Sequence, residues 1–517
     1  MVFRQADHGE PPTAVRGRRR AWVVTLVVLA MGAALGRPAL HLASATLRDR
    51  RDRPSPPAGF VDDASGLDGT RVSAVVDVSG DAALAEKQLG EALARARARH
   101  LTVSISGARH SMGGQATAAE GIVLNMLPLH AMDLDEARDV LHVQAGALWS
   151  QVLPYLNRSG RSVAVMQSND SFSVGGSVSV NCHGWQAGRP PIASTVEGLR
   201  LLQADGGIVR CSRTENPELF SLVLGGYGLF GIILDVDLKV VPNEEYRLER
   251  AMLPRRGLAH AFVDRTLAAT GDVGMAYGRL SVAPESFLDE AILNLYHRVP
   301  SGAGKPSRLE FPEIPGLTRA MFRGQVGSDY GKSLRWSAEK HVAGALSHGP
   351  VHRNQLLSEP VDVFENRSAA TTDVLHEYFV APEGFDAFVD DLSRIIPGHK
   401  GDLLNLTVRE VLRDDDTFLR YADRDMLALV LLFNQPRTAE GDAAMEGMTR
   451  DLIAAVLDRG GRYYLPYRLH ATVEQFQAAY PQAQRFFQLK ARYDPEQIFT
   501  NAFYDRYGAA TAGGRLD

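Results

Sequence analysis

Only two cysteines, Cys182 and Cys211, occur in 517 residues, which excludes a disulfide framework and a multi-cysteine metal site. One bridge or two free thiols remain open, and no metal is expected. No basic stripe follows the first twenty residues and the net charge is −5, which argues against a nucleic-acid partner. Internal repeats are absent. So is any Walker stretch, or any G-x-G-x-x-G set between a strand and a helix near the right acidic residue, so P-loop and Rossmann readings are disfavoured.

What is present is an ordinary folded composition, 45% hydrophobic and 23% charged, in a chain too long for a single core. Two lobes with extensions are expected. Arg16, Arg18, Arg19 and Arg20 precede an apolar run from Ala21 to Gly36, and Ala43-Ser44-Ala45 follows. Positive flank, apolar stretch and A-x-A-like site describe a secretory signal, while adding Ala39 to Ala45 would make an uncleaved membrane anchor workable. Arg19-Arg20-Ala21-Trp22-Val23 also fits a loose twin-arginine export pattern. Either way the body is expected outside the cytoplasm. The expected divisions are 1–45 for signal or anchor, 46–70 for a linker, 71–242 and 243–470 for the two lobes, and 471–517 for a helical return.

The first lobe reads as α/β. Strands are expected at Val72–Val78, Leu101–Ile105, Ile122–Asn125 and Val140–Gln144, with a helix over Ala82–Arg99 whose apolar positions include Leu84, Leu89, Ala92, Leu93 and Ala96. Gly198–Ala204 and Ile208–Cys211 form a hairpin about Asp205-Gly206-Gly207. Asn216 is read as a cap before Pro217, and Ile232–Val241 closes the lobe. The second lobe alternates strands with longer helical stretches, an α+β pattern on an antiparallel sheet. Thr472 and Gln475 form a capping box at the start of the tail.

Three glycine-rich segments stand out in the first lobe. They are Ser106-Gly107-Ala108-Arg109-His110-Ser111 running on to Gly114-Gln115, then Val174-Gly175-Gly176-Ser177 running on to His183-Gly184, and Gly225 to Gly231 entering a strand at Ile232. Glycines after a strand let backbone N–H groups close on an anion such as phosphate. Each segment alone is weak.

In order and spacing the three resemble the FAD-binding domain of the vanillyl-alcohol oxidase / p-cresol methylhydroxylase superfamily, over roughly Val72 to Pro242. The resemblance implies a domain of two α/β subdomains beside a substrate domain with an antiparallel sheet flanked by helices. It also implies FAD, held by the first loop and the V-G-G stretch, with Gly231 and Ile232 beside it. His110-Ser111 followed by Gly114-Gln115 resembles the loop of cytokinin dehydrogenases and aldonolactone or alditol oxidases, whose histidine is bonded to the flavin. His110 is thus expected to carry FAD covalently, the alternative being a histidine that only hydrogen-bonds in the loop. His183 resembles a wall of the flavin site.

The implied reaction is hydride removal from the CH–OH group of a sugar, polyol or lactone-like substrate, with oxygen or another acceptor receiving the electrons. A flavin-dependent reductase of the sterol Δ24-reductase kind, a cytokinin-type amine dehydrogenase and a non-catalytic carbohydrate-binding module are the alternatives. Catalytic groups should come from the second lobe: Glu377, Arg409, Tyr464, Tyr467, Arg468 and His470. Cytokinin dehydrogenases keep an aspartate seven residues before the first glycine of the pair, where this chain has Ser168. That disfavours cytokinin.

Overall fold

The computed structural model describes residues 36–49, 52–266, 271–299, 309, 315–341, 349–359 and 361–508. Besides a two-stranded antiparallel pair, Phe60–Val61 with Thr70–Arg71, three sheets organise them. One is parallel and three-stranded, in the order Ala74–Asp77, Ile122–Asn125, Val103–Ser106. The helix Ala82–Arg99 covers it, with Leu89, Ala92, Leu93 and Ala96 buried at helical spacing and the Asp81 side chain accepting from Leu84 N at its start. Leu84 itself lies outside that apolar face and is exposed.

A second, antiparallel sheet is built on the long strand Ile232–Pro242, which pairs with Val196–Leu202, Val140–Gln144 and Arg161–Val163. Its hairpin turns at Gly206, whose φ of +93° suits glycine. The helix Pro217–Val223 starts where expected, with Asn216 at the cap position, but the capping bond itself is a correction. The Asn216 backbone is left-handed (φ 48°), no side-chain cap bond forms, and its amide donates instead to Arg210 O at 2.7 Å.

The third sheet has eight strands, all paired antiparallel. Its order is Val351–His352, Glu245–Pro254, Glu290–Arg298, Val273–Leu280, Asp402–Val411, Met426–Pro436, Thr371–Val380 and Arg462–Tyr463. The helices Phe385–Gly398 and Ala439–Asp458 bury Phe388, Leu392, Met448 and Leu452 and pack on each other and on this sheet. With its inner row of side chains the sheet faces the first lobe. The class is α+β, as expected.

The apolar run read as signal or anchor lies outside the described residues except for Gly36. Among the described residues no helix is long and apolar enough to cross a membrane. Residues 36–48 are helical and rest on the second lobe: His41 Nε2 meets Gly324 O at 2.9 Å, and Arg37 lies over the Tyr330 ring. Ala45, in the A-x-A-like site, is buried.

The tail returns to the first lobe. Val103 N donates to Ile498 O at 2.7 Å and Thr500 N to Val103 O at 3.0 Å, adding a short parallel bridge to the small sheet. Asp494 directs this return. One carboxylate accepts from Ile498 N, Phe499 N and the Lys490 ammonium, and the Lys490 and Asp494 side chains are 0% and 1% exposed. Removing one partner of a buried pair leaves an uncompensated charge. Asp494→Ala is therefore expected to cost about 3–5 kcal/mol. A midpoint of urea unfolding no lower than wild type would refute this.

Candidate functional site

A cavity of about 1190 Å³ lies between the first lobe's loops and the inner face of the eight-stranded sheet. It exceeds the roughly 300–1,000 Å³ usual for one drug-sized ligand. The Gly107–Ser111 loop, directly after the strand Val103–Ser106, forms one wall. Backbone N–H groups of Gly107, Ala108, Arg109, His110 and Ser111 donate to no described protein acceptor. Consecutive unpaired amides at a cavity wall make an anion nest, here bent by Arg109 at φ 54°.

The other glycine segments play different parts. Val174 N and Gly175 N are already spent on Ala147 O and Ala145 O, both at 2.8 Å. A Cβ on Gly175 would stand 2.7 Å from that of Ala145, so this glycine permits close packing. Ser177 Oγ is saturated by Trp149 Nε1, Gln167 Oε1 and Ser173 O. Gly176, Gly231 and Ile233 reach the wall, whereas Ser106, Gly114, Val174, Gly184 and Ile232 do not line it. Alternation along the strand turns Ile232 into the core under the small sheet.

His110 lines the cavity and stacks on Phe172, with ring centroids 4.1 Å apart. Burial lowers its pKa, against a bond to the Ser171 backbone, so the imidazole is neutral near pH 7. Beyond it the loop is tied down on both sides. Gly114 N donates to Asp63 at 2.9 Å, and burial together with Asp68 pushes Asp63 up to about 7. Gln115 Nε2 donates to Leu465 O at 2.7 Å and Tyr467 O at 3.0 Å, so Gln115 is a strut between the loop and the end of the second lobe.

Of the groups expected from the second lobe, Glu377, Arg409, Tyr464 and Tyr467 are brought together at the cavity. Glu377, buried on Thr371–Val380, holds His183 Nε2 at 2.5 Å on one oxygen and accepts from Tyr467 OH at 3.1 Å on the other. Burial and Glu377 push the Tyr467 phenol well above its usual range. Tyr464 OH donates to Val180 O at 2.8 Å, and Arg409 Nη2 to Ser168 Oγ at 2.7 Å. Arg468 and His470 do not join them. The chain turns at Leu465-Pro466, and beyond Tyr467 it points the other way, into a separate small cavity with Asp68 and Asp442. His470 is buried there, its Nδ1 2.9 Å from Thr449 Oγ1. Cys182, also on the main wall, and Cys211 are free thiols, and burial pushes Cys182 up to about 12.

Several wall residues escaped the sequence reading: Arg250, Tyr277, Arg279, Tyr296, Arg335 and Glu339. Their signal was present as polar positions two apart on an apolar strand (Tyr277, Arg279) and four apart on a helix (Arg335, Glu339).

A family described as FAD binding domain matches residues 83–212. Residues 83–212 are an FAD-binding domain. That span holds the first two glycine segments; the third lies beyond it. Cytokinin dehydrogenase 2 of Arabidopsis thaliana is 36% identical over 132 residues, 25% of this chain and 26% of its own length. Cytokinin dehydrogenase 8 of Oryza sativa subsp. indica is 34% identical over 202 residues, 36% and 35% of the two chains. L-gulonolactone oxidase of Mus musculus is 28% identical over 157 residues, 30% and 36%. These matches cover little more than a third of each relative, or less. The two groups are those to which the His110 loop was likened.

The wall fits the cofactor. Unpaired amides of Gly107–Ser111 suit the pyrophosphate, and the glycines leave its approach unobstructed. The FAD-binding domain must also stay joined to the Tyr464–Tyr467 segment, and Gly113 permits that joint, since a Cβ there would stand 2.4 Å from Tyr467 O. Gly113→Ala is expected to cost about 1–3 kcal/mol by overpacking and to weaken FAD retention. Gly257→Ala, at a position with open space around it, serves as the silent control. Equal thermal midpoints and equal FAD content in the two variants would contradict this account.

Proposed function

We propose that the protein is an FAD-dependent oxidoreductase that removes a hydride from a CH–OH group and passes the electrons to oxygen or another acceptor. The observation that carries it is the Tyr467–Glu377–His183 chain, which joins the eight-stranded sheet to the FAD-binding domain at the cavity wall. FAD supplies the hydride acceptor. The side chains then have one task, to take the hydroxyl proton as hydride leaves. Glu377 is the proton acceptor, at the oxygen facing Tyr467. The Tyr467 hydroxyl orients the substrate oxygen toward it, and His183 at the other oxygen fixes the direction of the carboxyl group. Arg409 and Tyr464 bound the space in which the substrate lies. A sugar, polyol or lactone-like substrate fits a cavity with several hydrogen-bonding groups. Amine oxidation of the cytokinin type is the second reading, favoured by the named relatives, but Ser168 stands where its aspartate would be.

An anaerobic screen of alcohols, sugars, lactones and amines tests the proposal by loss of the yellow flavin band. Glu377→Gln should keep FAD but slow flavin reduction by about 10²–10⁴-fold. Reduction at the wild-type rate would remove Glu377 from the mechanism.

We further propose that His110 is bonded covalently to FAD, supported by its neutral imidazole on the loop. After acid precipitation the yellow colour should stay with the pellet and follow a peptide containing Arg109-His110-Ser111. Colour released wholly to the supernatant would leave His110 a stacking residue. Export or anchoring outside the cytoplasm is proposed from the arginine cluster and apolar run alone. A reporter fused after Asp63 that is active only in the cytoplasm would refute it.

A further inference from the structure

We propose that the far end of the cavity, walled by the second lobe, is an oxyanion site that takes a carboxylate or phosphate-monoester group of the substrate. The inference rests on the oxidoreductase reading for its biological meaning, though not for its chemistry. Strand register assembles the site. Arg250 lies opposite Asn294, Asn294 opposite Tyr277, and Arg279 opposite Thr407, so a row of side chains runs along one face of the sheet. The helix Asp329–His341 brings Arg335 and Glu339, one turn apart, over that row.

The charges there do not cancel. Glu339 binds Arg279 Nη2 at 3.0 Å and Arg335 Nε at 2.9 Å, while its backbone carbonyl takes Arg250 Nη2 at 2.9 Å. Glu359 and Asp170 are the other nearby carboxylates, and burial together with Asp170 pushes Glu359 up to about 6 against the pull of Arg409 and Arg279. Among the described residues four guanidinium groups thus face three carboxylates. Arg279 and Arg335 side chains are each only 14% exposed. Burial, with Arg279's charge adding to it, pulls Arg335 down to about 10.

Unsatisfied donors point the same way. Arg279 Nε and Arg409 Nε are both buried without a hydrogen-bond partner among the described residues. Buried guanidinium groups in excess of carboxylates are costly unless an anion completes them, and the planar fork matches carboxylate or phosphate. A neutral alcohol would leave that cost unrelieved.

Position adds a size requirement. The strand of Arg279 is three removed from that of Glu377, roughly 14 Å at the usual strand spacing. The anionic group therefore sits well away from the carbon to be oxidised, and the substrate is extended. Trp185, Tyr277 and Tyr296 wall this end, with ring centroids 5.3 Å from Trp185 to each tyrosine.

The test uses the FAD-loaded protein titrated with inorganic phosphate, with acetate, and with chloride at matched ionic strength, followed by thermal midpoint. A saturable rise is expected with phosphate or acetate and none with chloride. Arg279→Met and Arg250→Met should each weaken that binding at least about tenfold. The stronger of the two anions tells a phosphate monoester from a carboxylate. No saturable rise, or wild-type affinity in both variants, overturns the proposal. If Arg279→Met fails to fold, Arg279→Lys keeps the charge and loses the fork, and wild-type affinity there counts against the site. In an anaerobic screen, matched pairs of a sugar and its phosphate or uronate separate the two readings. Flavin reduced equally well by both members sinks the anion site and spares the oxidoreductase. Saturable phosphate binding with no flavin reduction by any substrate does the reverse.

Discussion

Gln115 holds two carbonyls of the C-terminal segment, those of Leu465 and Tyr467, while Met112 N of the same loop donates to Pro466 O at 2.8 Å. Neither side of this joint is stable alone. A loop rich in glycine has much conformational freedom to lose, and the Tyr464–Tyr467 segment is irregular backbone that must find partners for its carbonyls. Docking them satisfies both needs at once. It also sets the height of the eight-stranded sheet above the loop, and with it the width of the cavity. Tyr467, whose carbonyl is held 3.0 Å from Gln115, reaches Glu377 from this joint.

The same joint explains why three distant stretches of sequence behave as a unit. Asp63, from the segment ahead of the first lobe, fastens the loop through Gly114 N. The tail fastens it from below, with Ala502 N donating to Gly114 O at 3.2 Å. One glycine at φ 69° presents its N–H to one strand of chain and its carbonyl to another, a geometry open to glycine with little strain.

Local signals were legible and directional ones were not. The helix Ala82–Arg99 was readable because four of the five apolar positions named for it, Leu89, Ala92, Leu93 and Ala96, recur on one buried face at helical spacing. Glu377 was readable as a carboxylate inside an otherwise apolar strand. Arg468 and His470 misled because they are close in sequence to Tyr467, and a chain that turns at proline carries neighbours to opposite sides. Asn216 misled because the asparagine before a helix-starting proline adopted the left-handed backbone that asparagine tolerates, which turned its side chain away from the helix. Arg250, Arg279 and Arg335 meet only through the register of three strands and a helix, which periodicity within a single segment cannot supply.

A sheet laid over a cofactor domain can divide its work by strand. Near the joint, where the sheet is held to the FAD-binding loop, its inward carboxylate Glu377 is hydrogen-bonded to His183 of the first lobe and to Tyr467 of the docked segment. Such a network is rigid, and it can hold a proton because its lone pairs are already fixed in direction. Away from the joint the inward groups become arginines, and the Nε atoms of Arg279 and Arg409 are buried there without a hydrogen-bond partner among the described residues. That end is incomplete by itself, whereas the network at the joint is not. Catalytic geometry has to exist before substrate arrives, so it belongs where the two lobes are tied. Recognition gains by being completed on arrival, since an arginine left without its anion is what makes the correct substrate's charge worth binding. The order of strands from Glu377 outward to Arg250 follows that physical division.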